Sequence, residues 1–416
     1  MRTSSTTPIT PELKRHLIHD IVPFWLNMRD DQFGGFYGYM DANNVVNKNA
    51  PKGCILNSRI LWFFSSVYQL CMDGLLSESK LQDEGYSSLD VLDSARHAFS
   101  FLKDYFYDVE DGGVYWSVAP DGTPIDTTKH TYNLAYTIYA LVSYYQVSTD
   151  EEAMKIARKI KNTIELKCKD DIGYLEEFTK DFTLIENDKL SENGVMAYRS
   201  TNTLLNVMQA YSSLYREGKD LPFREKLVAV YDLFENKIYN PDKGSQEMFF
   251  DFNFNPIINL QSFGHDIEVS WFMERMCKSL HDDNLSKRMS FYSDVIAEQV
   301  YNSAFDGRSV AAECENGVIK ETRIWWVQAE AMLGFLNAYL KHPENTYYYD
   351  AVRSIWNFVK EYMITNTHPA EWYNEVSQDG VPDLSLPIAS EWKCPYHIGR
   401  MCIEFIRIQE TLSEDI

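Results

Sequence analysis

The residues best suited to chemistry stand at the starts of apolar helical windows that lie far apart in the chain. Segment CILNSRILWFFS (54–65) carries Arg59, beside Asn57, in an otherwise apolar run, and SFGHDIEVSW (262–271) carries His265 followed by Glu268. His397 lies in SEWKCPYHIGR (390–400), where Pro395 fixes the start of the last helix. A charged side chain buried near a helix start is costly unless it is paired or used, so Arg59 needs either a structural ion pair or the oxygens of a substrate. Glu268 shares a helical face with His265 and can hold its imidazole, while Asp266 competes as the N-terminal cap. Each histidine alone also reads as a cap or a satisfied polar residue. Together they suit a two-base proton transfer, with one imidazole on either side of a planar intermediate. A carboxylate pair drawn from Asp111, Asp251, Glu268 and Glu371 is the alternative, although sequence alone sets no distance between any two of them. The chain has no P-loop, dinucleotide fingerprint, HExxH or GxSxG motif, so no nucleotide, metal or other cofactor is expected.

Positioning these residues falls to about twelve windows of helical apolar spacing, starting near positions 9, 55, 90, 130, 150, 199, 222, 265, 284, 323, 345 and 394. Between the members of each helix pair lies a short stretch rich in glycine and aromatics. The six are FGGFYGYMD (33–41), DGGVYWSVAPDG (111–122), IGYLEEFTKD (172–181), EMFFDFNFN (247–255), the region of AFDGRSVAAECENGV (304–318) and EWYNEVSQDG (371–380). Their spacing of roughly 60 to 80 residues marks a diverged repeat of helix, hairpin and helix. Six such units closing on themselves predict an all-α (α/α)6 barrel, with residues 1–416 forming a single domain. All the short β-hairpins then crowd one end, beside the first turns of the even, inner helices. The inner starts KHTYNLAY (129–136), YRSTNTLLNVMQAY (198–211) and TRIWWVQAE (322–330) join the three segments above around that mouth. Aromatics on such hairpins suit the C–H faces of a carbohydrate.

Composition narrows the partners. Hydrophobic residues make up 45% of the 416 and charged residues 24%, the balance of a globular protein with a large core. A formal charge of -22 repels phosphate backbones and anionic membrane surfaces, so neither nucleic acid nor membrane is an expected partner. No run is long and apolar enough for a membrane span, and MRTSSTTPITPELKRHL has no apolar signal core, so a cytoplasmic location is expected. The seven cysteines are scattered without a CxxC pair and read as reduced, buried thiols. For Cys394, packing is the expected role and a nucleophile the alternative, because no basic neighbour is evident in sequence.

Segments DDQFGGFYGYMD, SRILWFFS, GGVYWSVAPDG, KHTYNLAYTIYAL, NDKLSENGVMA, GHDIEVSW, WWVQAEAM and WKCPYHIGR together resemble the cellobiose 2-epimerase branch of the N-acylglucosamine 2-epimerase superfamily, over about positions 10 to 410. The resemblance implies an (α/α)6 barrel and a metal- and nucleotide-independent isomerase that interconverts glucose- and mannose-type residues at the reducing end of a disaccharide such as cellobiose or mannobiose. It implies proton removal from C2 beside an opened aldehyde, a cis-enediolate, and proton return to the other face. It makes His265 and His397 the acid/base pair, Arg59 the ligand of the enediolate oxygens and Glu268 the support of the first histidine. Tyr132, Asn202, Trp325, Trp326, Trp372 and Trp392 match residues that line the sugar site. The chain departs from the family at NTLLNVMQ, where the pattern NTxLHxxE would place a third histidine and a glutamate; Asn206 and Gln209 stand there instead. Asparagine can bond a sugar hydroxyl but cannot exchange a proton at neutral pH, and the joint change suggests a swap that keeps both groups hydrogen-bonded. That departure keeps two further readings open: an aldose–ketose isomerase, which shares the enediol, and a sugar-binding member with little turnover. The segment EMFFDFNFNPIINLQ is expected to set sugar specificity, and the protein to act as a monomer or homo-oligomer.

Overall fold

The computed structural model describes residues 9–187, 189–190, 194–218 and 221–414, so part of NDKLSENGVMA (188 and 191–193) and most of the N-terminal leader lie outside the described residues. The helix Cys54–Met72 buries every residue from Cys54 to Val67. Burial all round belongs to a helix enclosed by others. It is the first of six inner helices, followed by Thr131–Ser148, Thr201–Gly218, Phe263–Lys278, Trp325–Lys341 and Tyr396–Glu414. Each packs on its successor, and the sixth packs on the first, which closes the ring. The fold is the (α/α)6 barrel.

Outer helices bury one stripe only. In Glu151–Lys167 the buried residues Ala153, Met154, Ile156, Ala157, Ile160 and Ile164 recur at three- and four-residue spacing, leaving Glu151, Glu152, Lys155, Lys159 and Lys167 in solvent. The remaining outer helices begin at Thr10, Ser88, Leu221, Asp283 and Thr346. Four carry a π-helical turn, at Leu17–Ile21, Leu102–Phe106, Phe234–Ile238 and Val359–Met363. Apolar periodicity does not separate these turns from ordinary helix. The short helix Glu78–Asp83, in a return connection, is also additional to the expected twelve.

Small strands lace the hairpin end together. The strand before each inner helix pairs with the hairpin of the next unit: Lys52–Gly53 with Ser117–Val118, Lys129–His130 with Glu177–Phe178, and Arg199–Ser200 with Phe249–Phe250. Leu260–Ser262 then pairs with Glu313–Glu315, and Arg323–Ile324 with Glu375–Val376. A bridge from Ala389 back to Met40 joins the sixth unit to the first.

Buried cations fix the turns that begin these hairpins. Lys52 Nζ donates to Asp30 at 2.6 Å, Lys129 Nζ to Asp108 at 2.8 Å, and Arg323 Nη2 to Asp306 at 2.6 Å; Arg199 grips Asp170 in the same way. Each aspartate also accepts two backbone N–H bonds from its own turn, which offsets the cost of burying the pair. Gly35 (φ +66°) and Gly113 (φ +76°) complete the first two turns in a left-handed conformation that other residues rarely adopt. The fourth unit differs, with neutral Asn240 capping its own turn. No helix among the described residues is long and apolar enough to cross a membrane.

Candidate active site

A cavity of about 550 Å³ lies at the hairpin end and takes side chains from the first two turns of all six inner helices. Ten of the residues singled out in the sequence line it: Arg59, Tyr132, Asn202, Asn206, His265, Glu268, Trp325, Trp326, Trp392 and His397. Its floor is polar and its walls aromatic, as suits a ligand with C–H faces and many hydroxyls.

Arg59 forms no ion pair among the described residues. Its Nη2 donates to the Tyr132 hydroxyl at 2.6 Å, and its guanidinium lies 4.4 Å from the centre of the Tyr136 ring. The structural ion pair that sequence left open is therefore absent, and a cation at the cavity wall is held by π faces and a hydroxyl. Its Nη1 also approaches the Cys394 thiol at 3.6 Å, a basic neighbour that sequence did not reveal, while Cys394 itself is fully buried. Asn57 does not reach the cavity: its amide receives the Phe36 N–H and donates to the Gly53 carbonyl, fastening the first hairpin.

The two histidines share Trp326, whose ring centre lies 4.7 Å from that of His265 and 5.5 Å from that of His397. Gly264 makes this approach possible, since a Cβ there would fall 2.4 Å from the Trp326 ring. His397 is 7% exposed and donates from Nδ1 to Glu330 at 2.7 Å. Glu330, fully buried, also accepts from Arg400 Nη2 at 2.6 Å and from the Trp271 indole at 3.1 Å. His265 is half-buried, with Nδ1 2.8 Å from the Ser262 hydroxyl. Burial pushes the proton affinity of both imidazoles below the ordinary value, with Glu268 opposing in each case; for His397 the drop is large, and the charges on Arg400, Arg59 and His265 deepen it.

Several expectations need correction. Glu268 does not hold His265; its carboxylate accepts from Arg400 on the sixth helix. Asp266 is not a cap: it is fully buried and accepts from the Gln246 N–H and the Gln261 amide, and burial raises its carboxyl to about 7. Trp372 is absent from the cavity. Its indole donates to His16 Nε2 at 2.9 Å within the core behind the hairpin, fully buried. Asn206 and Gln209 are both hydrogen-bonded but not to each other: Asn206 donates to the Asn202 carbonyl at 2.7 Å, and Gln209 exchanges bonds with the Tyr396 hydroxyl. Of EMFFDFNFNPIINLQ, only Met248, Phe249 and Leu260 reach the cavity.

Of the four candidates for a carboxylate pair, Glu268 alone lines the cavity. Glu371 is buried on Lys393 and Trp25, Asp251 closes a surface turn, and Asp111 pairs with Lys180 outside the cavity. Sequence reasoning missed Glu330, Arg400 and Ser262 as functional neighbours, together with Glu313, Glu375 and Asp383 at the cavity wall. The signals were spacings: Glu330 stands four residues after Trp326, and Arg400 three after His397. The Glu268, Glu330 and His397 ligand atoms lie within 4.8 Å of one another, a spacing a metal could use, and Arg400 Nη2 bonds both carboxylates there.

The model of the N-acylglucosamine 2-epimerase family matches residues 35–400. The chain belongs to this family. It is 43% identical over 409 residues to a cellobiose 2-epimerase of Eubacterium cellulosolvens, covering 94% of this chain and 97% of that relative. A solved sugar epimerase from a ruminal bacterium superimposes with a TM-score of 0.90 at 38% identity, over 96% of this chain and 99% of the other. The cellobiose 2-epimerase of Bacillus thermoamylovorans B4167 gives 0.87 at 38% identity, with the same coverage. The chain is thus a carbohydrate epimerase of the cellobiose 2-epimerase branch.

Proposed function

We propose that the chain, acting as one unit over residues 1–416, epimerises C2 of the reducing-end residue in a disaccharide such as cellobiose or mannobiose. The observation that carries this reading is the pair of imidazoles set against one indole at a cavity that also holds an arginine without a carboxylate partner. With Nδ1–H of His397 donated to Glu330, the free lone pair is on Nε2, the atom available as base. One imidazole takes the C2 proton, and the C–H electron pair moves toward C1, leaving an enediolate whose oxygens Arg59 neutralises. The other, entering the step as imidazolium, returns a proton to the opposite face. The pair must then carry one proton between them, and the lowering of His397 by a charge on His265 favours that single occupancy. Asn202 and Asn206 supply hydrogen bonds to sugar hydroxyls, Tyr132 orients Arg59, and Trp325, Trp326 and Trp392 give stacking faces. Metal and nucleotide have no step in this scheme.

Asn206 favours a second reading, a sugar-binding member with little turnover, because an amide cannot relay a proton to the ring oxygen. Incubation with cellobiose, mannobiose, glucose and mannose in D2O, followed by NMR, separates the readings. Deuterium at C2 with formation of the epimer is expected. A ketose product would make the protein an aldose–ketose isomerase, and saturable binding without exchange would favour the second reading.

A further inference from the structure

A second cavity, of about 190 Å³, lies between the C-terminal halves of the inner helices, on the far side of a layer that includes Gln209, Phe272 and Arg400. In a chain of net charge -22, its lining is positive. Arg216, Arg275 and Arg407 face it from three different helices, and Arg400 from its floor; the sole carboxylate among its lining residues is Glu404. Glu404 pairs with Arg275 and stands 3.9 Å from Arg407, and Arg216 has no ion pair among the described residues. Two further acids stand nearby: Asp73, which accepts from Gln69 and favours the charge on Arg407, and Glu217, which accepts from Gln146. The cations crowd one another: although the Arg275 side chain is 41% exposed, desolvation of its charge together with Arg407, Arg216 and Arg400 lowers its proton affinity, against Tyr139. Arg400 lies beneath the other three as a further cation. Its Nη atoms are bound to Tyr396, Glu268 and Glu330, while its Nε, buried in a side chain 3% exposed, has no acceptor.

We infer that this cavity is a binding site for a small oxyanion, either free phosphate or the phosphoryl group of a small metabolite. Guanidinium forks match the oxygens of such a group, and several converging forks compensate one another's repulsion only when an anion joins them. The volume suits a phosphate rather than a disaccharide, and the site is separate from the sugar cavity. Arg400 then links the two regions: it lines the anion cavity and bonds through Nη2 the Glu330 carboxylate that also receives His397.

The test is calorimetric titration of the full chain with inorganic phosphate, with and without saturating cellobiose. One saturable site is expected, unaffected by cellobiose and weakened at least tenfold in the double variant Arg216→Gln/Arg407→Gln. Both positions are partly or fully exposed, and Arg216 bonds nothing among the described residues, so Arg216→Gln alone keeps the test valid should the double variant unfold. A phosphomonoester that binds more tightly than phosphate assigns the site to a phosphorylated metabolite; one that binds no better assigns it to free phosphate. Absence of saturable heat, equal binding in the variants, displacement by cellobiose, or equal binding of chloride would each overturn the inference.

Discussion

The two histidine corners of the cavity share a residue type and a tryptophan, yet they are built differently. At His397 the imidazole is buried, and its Nδ1 is tied to a fully buried carboxylate that is itself braced by Arg400 and Trp271. At His265 the ring is half-buried, with one hydroxyl, that of Ser262, at Nδ1. The first corner fixes tautomer and orientation through a charge-assisted bond, worth more than the neutral bond at the second. A pair that trades one proton in both directions needs two rings that can each be charged, but it need not hold them equally firmly. The firm corner is tuned by charge, the looser one by its hydroxyl.

Removing either ring tests whether both corners are needed. His265→Ala and His397→Ala are each expected to cut epimerisation and C2 deuterium exchange by about a hundred- to ten-thousand-fold, the range for a general acid or base. Full exchange in either variant would sink the two-base scheme. Removing the charge at the firm corner comes next. Glu330→Gln keeps the shape but loses a charged hydrogen bond of roughly 1.5–3 kcal/mol, so kcat should fall about ten- to a hundred-fold, with little change in KM. Kinetics with cellobiose check it, and a fall in KM alone would contradict a role exerted through His397.

The same contrast explains what sequence made legible. Helix starts were readable to within two residues because an inner helix is apolar all round and an outer one shows a stripe. Closure followed from counting six units, and the Ala389–Met40 bridge supplies its physical form. His265, His397 and Arg59 stood out as polar residues in apolar surroundings. Glu330 did not, although WWVQAEAM contains it, because a carboxylate in mid-helix gives no sign of which distant helix it faces. Glu268 was misassigned to His265 because helical spacing favours a local partner, whereas Arg400, 132 residues away, provides the stronger bond. Trp372 failed for a related reason: one face of a hairpin lines the cavity and the other covers the outer core, and sequence does not say which face is which.

At the looser corner a smaller effect is expected. Ser262→Ala removes a neutral hydrogen bond of about 0.5–1.5 kcal/mol, so kcat should drop roughly two- to ten-fold, less than for Glu330→Gln. A larger loss in Ser262→Ala would reverse the ranking of the corners.

Acidity gives the finest discrimination. The acid limb of kcat/KM reports the loss of the neutral base in the free enzyme. Burial lowers the proton affinity of both imidazoles, so each stays neutral to a lower pH than an ordinary histidine, and the limb should lie below pH 6.5. Glu268 raises both, acting across space rather than through a bond to either ring. Neutralising it in Glu268→Gln must therefore lower both affinities further and move the limb to still lower pH. Because Gln can still accept from Arg400, the brace on Glu330 persists and the change isolates charge from position. A limb that moves upward would overturn this assignment, since neither the loss of the Glu268 charge nor a closer Arg400 guanidinium can raise the affinity of the ring for a proton.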